Sequence, residues 1–335
     1  MTRRYSTWLK VAVALGSAGI GLAGVVWVEH LASQAVRDTA WNSRGYRGAI
    51  LGAKDANEVR IVALGASTTF GYGVLAAETY PTQLERRLRE VDPLPGTSIT
   101  LVNLGMLDSK AVCLEADLRD YGYLEPDMII VYSGYNGGGT DEKHCRRQAS
   151  PVFQALKFFP IAPIVLVEKW YVIRYGNVAE GYARRQKRLA ASMRSENVGA
   201  SSPGPLSAEQ MSLVREKEYE DYKRSVLHLV DTALGRDLPV LFVYQVDLAR
   251  PSVRRLAGDR NVVADHQSQQ QRIRQDLRRY ENHRLFRTTD AGELFGGEVT
   301  PEYFVDWMHL NGKGNDRLAE ILVDPVADLL ALVSQ

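Results

Sequence analysis

The amino-acid sequence predicts an α/β fold: a three-layer α/β/α sandwich around a mainly parallel, doubly wound sheet, preceded by one transmembrane helix. Three observations support this prediction. Short runs rich in β-branched residues recur along the chain and are typical of strands buried on both faces. Segments with helical spacing of apolar residues separate these runs, which is the order of a parallel sheet with crossover helices. Eighteen consecutive uncharged residues also lie near the N-terminus.

The uncharged segment VAVALGSAGIGLAGVVWV (residues 11–28) is long enough to cross a bilayer, and it exceeds the apolar core of most cleaved signal peptides. Arg3, Arg4 and Lys10 precede it, so the positive-inside rule places the N-terminus in the cytoplasm. We therefore expect residues 1–30 to be a cytoplasmic tip and a single-pass signal anchor in a bacterial inner membrane. The domain that follows would be periplasmic or extracellular. A cleaved signal peptide and a buried core helix are the alternatives.

Four apolar runs are predicted to form strands. They are VRIVAL, ITLVNL, MIIVYS and LPVLFVYQV, at residues 59–64, 99–104, 128–133 and 238–246. Between the first two, TYPTQLERRLREV (79–91) has Leu84, Leu88 and Val91 at helical spacing, which predicts a helix. Residues 31–58, between the anchor and the first run, are interpreted as a juxtamembrane helix and linker.

The remaining chain, residues 59–335, is predicted to be one domain with a helical insertion at about residues 151–210. The insertion begins with PVFQALKFFPIAPIVLVEKWYVIRYG (151–176), which prolines and lysines interrupt, so it is not a second membrane span. Two short packed helices are one interpretation of this stretch, and a lid or membrane-facing rim is the other. The composition then predicts a flexible loop at 194–210 and an amphipathic helix at 211–234.

Charge and cysteine content exclude some functions. The net charge of +1 gives no electrostatic basis for binding nucleic acid. The two cysteines, Cys113 and Cys145, form no CxxC motif and no Cys/His cluster, so the sequence predicts no metal site. Outside the cytoplasm the two thiols could pair, and two separate buried thiols are the alternative.

A serine lies just past the end of the first predicted strand. In IVALGASTTFGYGV (61–74), Ser67 follows a glycine-containing turn and precedes a helical segment. Open parallel sheets bind ligands at the carboxyl ends of their strands, so this hydroxyl is a candidate nucleophile. The other interpretation is a serine that caps the helix. The stretch lacks the G-x-S-x-G pattern of the α/β-hydrolase elbow.

A nucleophilic serine needs a base, and YFVDWMHLNGKG near the C-terminus offers one. Asp306 and His309 are three residues apart, so the carboxylate can bind the Nδ1 side of the ring and leave Nε2 for the serine. Gly312 and Gly314 lead into a helical segment, which puts the pair in a loop. The other histidines have less suitable surroundings: His30, His144, His228, His266 and His283.

A third candidate group follows the strand predicted at residues 128–133. The sequence SGYNGGG places Asn136 beyond the strand end, where its side-chain amide could donate to an oxyanion. The alternative is an asparagine that serves only a glycine-rich turn.

Together and in this order, these stretches resemble the GDSL/SGNH serine hydrolase superfamily over residues 59–332. The resemblance implies the flavodoxin-like SGNH hydrolase fold. It assigns the nucleophile to Ser67 in LGASTTFG. It assigns the base and its orienting carboxylate to His309 and Asp306, and an oxyanion-binding amide to Asn136.

The sequence departs from the family pattern at three positions. Ala66 replaces the aspartate of Gly-Asp-Ser-Leu, and Gly137 replaces the aspartate of Gly-x-Asn-Asp. In the second block, NLGMLD, Asn103 and Gly105 match, but Asp108 stands where the later glycine is expected.

The resemblance also assigns the groups that would bind an oxyanion. They are the main-chain N–H groups of Ser67 and Asp108, the side-chain amide of Asn136 and, as a further candidate, Gly105. A carboxylate near an oxyanion is unfavourable, so the Asp108 side chain is expected to point away. In this architecture the loops after the second and third strands are neighbours, which implies a disulfide between Cys113 and Cys145.

The function implied is a serine esterase that needs neither metal nor organic cofactor. We expect it to cleave O-acyl esters, with acetyl as the first choice, on an envelope or secreted polysaccharide through a Ser-His-Asp triad and an acyl-enzyme. The expected partners are an acylated glycan or another ester substrate, the inner membrane through residues 11–28, and polysaccharide-assembly proteins. The alternatives are a polysaccharide O-acetyltransferase, a lipid esterase if residues 151–176 form an apolar rim, and a non-catalytic binding subunit with the same fold.

Overall fold

The computed structural model describes the body of the protein and only isolated residues before it. The described residues are 10–12, 17, 23–24, 27–28, 31, 41–134, 136, 140–176, 178, 180–181, 184–185, 207–245, 260–294, 301–306 and 308–333. The predicted anchor at residues 11–28 lies largely outside them, as does most of the loop predicted at 194–210. Within these ranges, no helix has the length and apolar character needed to cross a bilayer.

A parallel sheet forms the centre of the described structure. Its strands are β1 (Glu58–Gly65), β2 (Ser98–Asn103), β3 (Met128–Tyr132), β4 (Val240–Tyr244) and β5 (Phe286–Asp290). Their order across the sheet is β2-β1-β3-β4-β5, and every neighbouring pair is parallel. The strand order reverses at β1 and β3, and open α/β sheets bind ligands at such a switch point.

Helices connect the strands and cover the sheet. The α-helices are α1 (Ser67–Phe70), α2 (Tyr80–Val91), α3 (Ala111–Asp120), α4 (Pro151–Leu156), α5 (Ala162–Tyr175), α6 (Ala208–Leu234), α7 (Arg260–Leu277), α8 (Ala291–Leu294) and α9 (Gly312–Val333). Short 3₁₀ turns lie at Ala76–Glu78, Gly122–Leu124, Glu142–His144, Arg278–Tyr280 and Pro301–Tyr303.

Two hydrophobic cores lie on opposite faces of the sheet, because successive strand residues point to opposite sides. In β1, Val62 and Leu64 belong to the first core, and Ile61 and Ala63 belong to the second. Helices α3, α5, α6 and α7 contribute to the first core, and α2 and α9 contribute to the second. The fold is therefore the predicted three-layer α/β/α arrangement.

The four predicted strands are confirmed, with small shifts at their ends. The fifth strand, β5, was not predicted. Its sequence FRTTD is mostly polar, and two of its side chains are exposed because the strand lies at the edge of the sheet and pairs only with β4. An edge strand of this kind lacks the continuous apolar run that marks a strand buried on both faces.

The second half of the predicted linker (31–58) packs on the first core. Trp41 is fully buried, with its ring centroid 4.9 Å from that of Phe70 and 6.0 Å from that of Phe159. The Arg47 N–H donates to the main-chain oxygen at the end of β2 over 3.0 Å. Polar residues separate these anchoring side chains in WNSRGYRG, so the sequence shows no apolar run there.

Residues 151–176 form two short packed helices, α4 and α5. Ser150 caps α4, since its Oγ accepts the Phe153 N–H over 3.3 Å. Lys157 ends α4 and Gly176 ends α5, both with left-handed backbone conformations. The capping residues and prolines that interrupt this stretch therefore set the helix ends.

Candidate active site

Ser67 lies at the carboxyl end of β1, at the first position of the short helix α1. Two glycines allow the close packing around this turn. A Cβ on Gly65 would lie 2.0 Å from Thr69 Oγ1, and a Cβ on Gly105 would lie 2.2 Å from the main-chain nitrogen of Phe70. The absence of side chains at both positions lets α1 sit directly on the ends of β1 and β2.

The structure brings Ser67 and His309 together across 242 positions of sequence. Ser67 Oγ lies 2.8 Å from His309 Nε2, and His309 Nδ1 lies 2.7 Å from Asp306 Oδ2. His309 is only 7% exposed, so little water competes for its ring nitrogens. Ser67 is partly exposed, which leaves its hydroxyl accessible to a ligand. The three side chains thus form a continuous hydrogen-bonded series.

A tight turn fixes the Asp306 carboxylate. Its Oδ1 accepts the main-chain N–H groups of Met308 and His309 over 2.9 and 2.8 Å, and its Oδ2 faces the imidazole. Burial disfavours the charged form, but the His309 ring and these N–H groups outweigh it, so the pKa of Asp306 lies below its ordinary value. An ionised partner favours the His309 tautomer that carries its proton on Nδ1 and accepts at Nε2.

The ring of Tyr72, which the sequence did not single out, packs on the His309 imidazole. The two ring centroids are 4.7 Å apart. Burial raises the pKa of Tyr72 to about 12, and the charges of Asp306 and Asp108 act in the same direction. The phenol is therefore neutral at ordinary pH. The flanking glycines both have positive φ and form the turn that carries the ring. The Gly-Tyr-Gly sequence is therefore the pattern that could have pointed to Tyr72 as a site residue.

The three oxyanion donors predicted by sequence follow three neighbouring strands: Ser67 follows β1, Asp108 follows β2 and Asn136 follows β3. The N–H at the first position of a helix has no partner within that helix. Within the described ranges, the Ser67 N–H, the Asp108 N–H and the Asn136 side-chain amide have no hydrogen-bond acceptor. All three are thus available to a bound ligand.

Asp108 adopts the backbone conformation expected of the glycine it replaces. Its φ is +60°, in the left-handed region that aspartate enters more readily than most residues. The residue is exposed, so water can solvate its carboxylate.

Gly105 has a different role from the predicted one. Its N–H donates to Asn103 Oδ1 over 2.9 Å, and Asn103 Nδ2 donates to the main-chain oxygen of Thr69 over 2.9 Å. Because its only main-chain donor is taken, Gly105 is not placed to bind an oxyanion. It instead allows the loop after β2 to pack on α1, and Asn103 holds the two together.

A buried arginine anchors the loop after β2. Arg147 is 1% exposed and forms an ion pair with Asp117 of α3. Its Nε donates to the main-chain oxygen of Gly45, and Nη2 donates to that of Leu104, each over 2.9 Å. A single guanidinium therefore joins the segment before β1, the loop after β2 and helix α3.

A disulfide joins the two loops that carry Asp108 and Asn136. Cys113 lies in α3, just after the first loop, and Cys145 follows the second. Their Cα atoms are 5.5 Å apart, and both residues are buried. The link restrains the relative movement of the two loops.

A cavity of about 450 Å³ adjoins the turn that carries Tyr72. Residues 70–75, Leu107 and part of α5 form its walls, and Ser67 is not among them. Arg47 lines it and donates to the main-chain oxygens of Phe70, Gly71 and Val74 over 2.5, 2.8 and 2.5 Å. Burial lowers the pKa of Arg47 to about 10 against the opposing effect of nearby carboxylates. This arginine therefore fixes the turn behind Tyr72.

The arrangement of side chains has a defined chemical capacity. A hydroxyl that faces Nε2 of an imidazole, whose Nδ1 binds a carboxylate, can lose its proton to the ring as it attacks an electrophile. Among the described residues, no group of three His, Cys, Asp or Glu side chains is arranged to bind a metal ion.

No family model matches the sequence, and no curated relative matches it. Solved structures similar to this chain include the acetyl xylan esterase AlAXEase, at 12% identity and a TM-score of 0.46 over 80% of this chain and all of the other. A member of the lipolytic protein G-D-S-L family from Veillonella parvula shares 8% identity at a TM-score of 0.44 over 80% of this chain and 98% of its own. A catalytic mutant of an acetylxylan esterase from Geobacillus stearothermophilus shares 12% identity at a TM-score of 0.44, over 79% of this chain and 92% of its own.

Proposed function

We propose that this protein is a serine esterase that cleaves O-acyl esters with Ser67 as nucleophile, His309 as base and Asp306 as the orienting carboxylate. The observation that carries the proposal is the hydrogen-bonded series from Ser67 Oγ through the imidazole to the carboxylate. The strand order β2-β1-β3-β4-β5, with the series at the carboxyl edge of the sheet, supports the SGNH hydrolase fold that the motifs resemble.

In the proposed reaction, His309 Nε2 takes the Ser67 proton as Oγ bonds to the ester carbonyl carbon. The carbonyl oxygen becomes an oxyanion, which the N–H groups of Ser67 and Asp108 and the Asn136 amide stabilise. His309 then returns the proton to the leaving alcohol, and an acyl-enzyme forms. Water, deprotonated by the same imidazole, releases the acid and restores the serine. A single oxyanion donor of this kind is worth about 10²–10³ in kcat.

The proposed substrate is an O-acyl ester, first of all an O-acetyl ester, on an envelope or secreted glycan. An anchor at residues 11–28 would hold the domain outside the cytoplasm, on a single-pass protein of a bacterial inner membrane. The Cys113–Cys145 disulfide supports this location, because disulfides persist in oxidising compartments. The partly exposed Ser67 at an open sheet edge suits a substituent that projects from a polymer.

The first experiment compares Ser67→Ala with Ser98→Ala, which removes an exposed hydroxyl at the opposite end of the neighbouring strand. Ser67→Ala should abolish hydrolysis of p-nitrophenyl acetate and labelling by a fluorophosphonate, with an unchanged circular dichroism spectrum. Ser98→Ala should retain both. Hydrolysis and labelling that persist in a folded Ser67→Ala variant would reject the proposal.

Product analysis then separates hydrolysis from acyl transfer. With an acetylated oligosaccharide as donor, the proposal expects free acetate in equal yield with and without an unacetylated glycan acceptor. Acetyl groups found on the acceptor, with no matching free acetate in solution, would instead identify a transferase.

A further inference from the structure

We propose that the outer side of α5, together with the end of α4, rests on the surface of an anionic lipid bilayer. The term α5 face is used here for Leu156, Leu166, Trp170 and Ile173. They are 69%, 67%, 47% and 85% exposed. The last three are four and three residues apart, so they lie on one side of the helix.

The α5 face is not needed to hold α5 in place. The opposite side of the helix buries Ile164 and Val165 against the first core, and Tyr171 is buried as well. The helix is therefore apolar on both its buried and its exposed side. Large apolar side chains that are exposed together on one side of a helix mark an interaction surface for a protein or a membrane.

The exposed charged side chains of α5 are cationic. Residues 151–176 contain four charged side chains, and the single acidic one, Glu168, is buried at 8% exposure. The other three are cationic: Lys169 and Arg174 are exposed, whereas Lys157 forms an ion pair with Asp120 over 3.0 Å. Cations beside exposed Trp, Leu and Ile side chains are the composition of a surface that inserts into the headgroup region of anionic membranes.

The segment between residue 28 and Trp41 is called the tether here, and its position supports the bilayer as the partner of the α5 face. If residues 11–28 span the membrane, as proposed above, the thirteen residue steps from position 28 to Trp41 extend at most about 45 Å. Trp41 packs against Phe159, and the Phe159 N–H donates to the main-chain oxygen of Ser43 over 2.7 Å. Phe159 lies three residues before α5 begins. The tether thus enters the body next to the start of α5, so the α5 face lies on the side of the body from which the tether leaves.

The test uses the full chain in vesicles of phosphatidylcholine and phosphatidylglycerol. Because the only two cysteines form a disulfide, a cysteine introduced by Leu166→Cys can be labelled alone with the environment-sensitive fluorophore NBD. Val91→Cys is the matched control. Val91 is 59% exposed at the end of α2, which covers the other face of the sheet.

The expected result is a blue-shifted NBD emission at position 166 that nitroxide-labelled lipids quench several-fold more than the emission at position 91. Replacing phosphatidylglycerol with phosphatidylcholine, or introducing K169Q and R174Q together, should reduce the difference in quenching between positions 166 and 91. Equal quenching at the two positions would overturn the inference. A blue shift at 166 without vesicles would also overturn it, because a second protein copy would then cover the face. Hydrolysis of p-nitrophenyl acetate is measured in the same samples, so that a failure of membrane contact can be told apart from a failure of the proposed esterase activity.

Discussion

Replacement of Asp306 by asparagine isolates the orienting role of the carboxylate, because the two side chains have nearly the same shape. The asparagine Oδ1 can still accept the N–H groups of Met308 and His309. The amide nitrogen would then replace Oδ2, which lies 2.7 Å from His309 Nδ1. Two donors cannot face each other at that distance. His309 would have to keep Nδ1 unprotonated and carry its proton on Nε2, where it could no longer accept the proton of Ser67.

The size of the effect follows from the loss of the functional tautomer. The same substitution in the serine protease triad lowers kcat about 10⁴-fold while the geometry stays intact. For this protein we expect a loss of about 10³- to 10⁴-fold, which corresponds to about 4 to 5 kcal/mol of transition-state stabilisation. KM should change little, because the carboxylate does not touch the substrate.

Steady-state hydrolysis of p-nitrophenyl acetate measures this loss, and a urea unfolding curve shows whether the variant is folded. Asp328→Asn is the matched control, since Asp328 is exposed on α9. It should keep full activity. A folded Asp306→Asn variant within tenfold of the wild-type kcat would refute the reasoning that the Nδ1 contact sets the tautomer.

Three further predictions concern stability and packing. Arg147→Met should lower the free energy of unfolding in urea by about 3 to 5 kcal/mol, because the buried Asp117 carboxyl loses its cationic partner and must be either charged and unpaired or protonated; a loss below about 1 kcal/mol would show that the pair is not needed. Gly105→Ala should impair folding or activity because its Cβ would meet main-chain nitrogen at 2.2 Å, whereas Gly52→Ala, with open space around it, should not; equal effects would contradict the packing argument. A hydrogen bond from Arg60 lowers the pKa of Glu58 to about 2. The stability from this pair should be present above the ordinary glutamate pKa and lost as pH falls towards 2. Glu58→Gln should reduce that acid dependence in urea unfolding measured against pH, and an unchanged slope would count against it.

The position of Ser67 at the carboxyl edge of the sheet was predictable from topology, whereas Asp306 and His309 lie well past the end of β5, and only the resemblance of the motifs predicted that they meet the serine. Parallel strands end at one edge of a sheet, so polar residues just past strand ends converge even when the chain between them is long. The turn that precedes α9 needs only local hydrogen bonds to join the carboxylate to the imidazole. Their chemical roles stay predictions until the variants are assayed.

Other features depended on contacts that a linear pattern does not show. Tyr72 contacts the His309 imidazole, and only the folded structure shows which side chain its ring packs against. Trp41 and Arg47 reach the core from a segment without an apolar run. Gly105 has the right residue type in the right block, but the Asn103 side chain takes its N–H.

The separation of 242 positions between Ser67 and His309 also means that the serine is synthesised well before its base. If the chain crosses a membrane in sequence order, as proposed, it delivers the serine early, when it is an ordinary alcohol with no base beside it. The imidazole arrives only with the loop before α9, and α9 must then settle its Leu318, Leu322 and Val326 side chains into the second core. Stalled or truncated translocation products would therefore be inactive as esterases, and the onset of hydrolysis would show that the whole domain had crossed the membrane and folded.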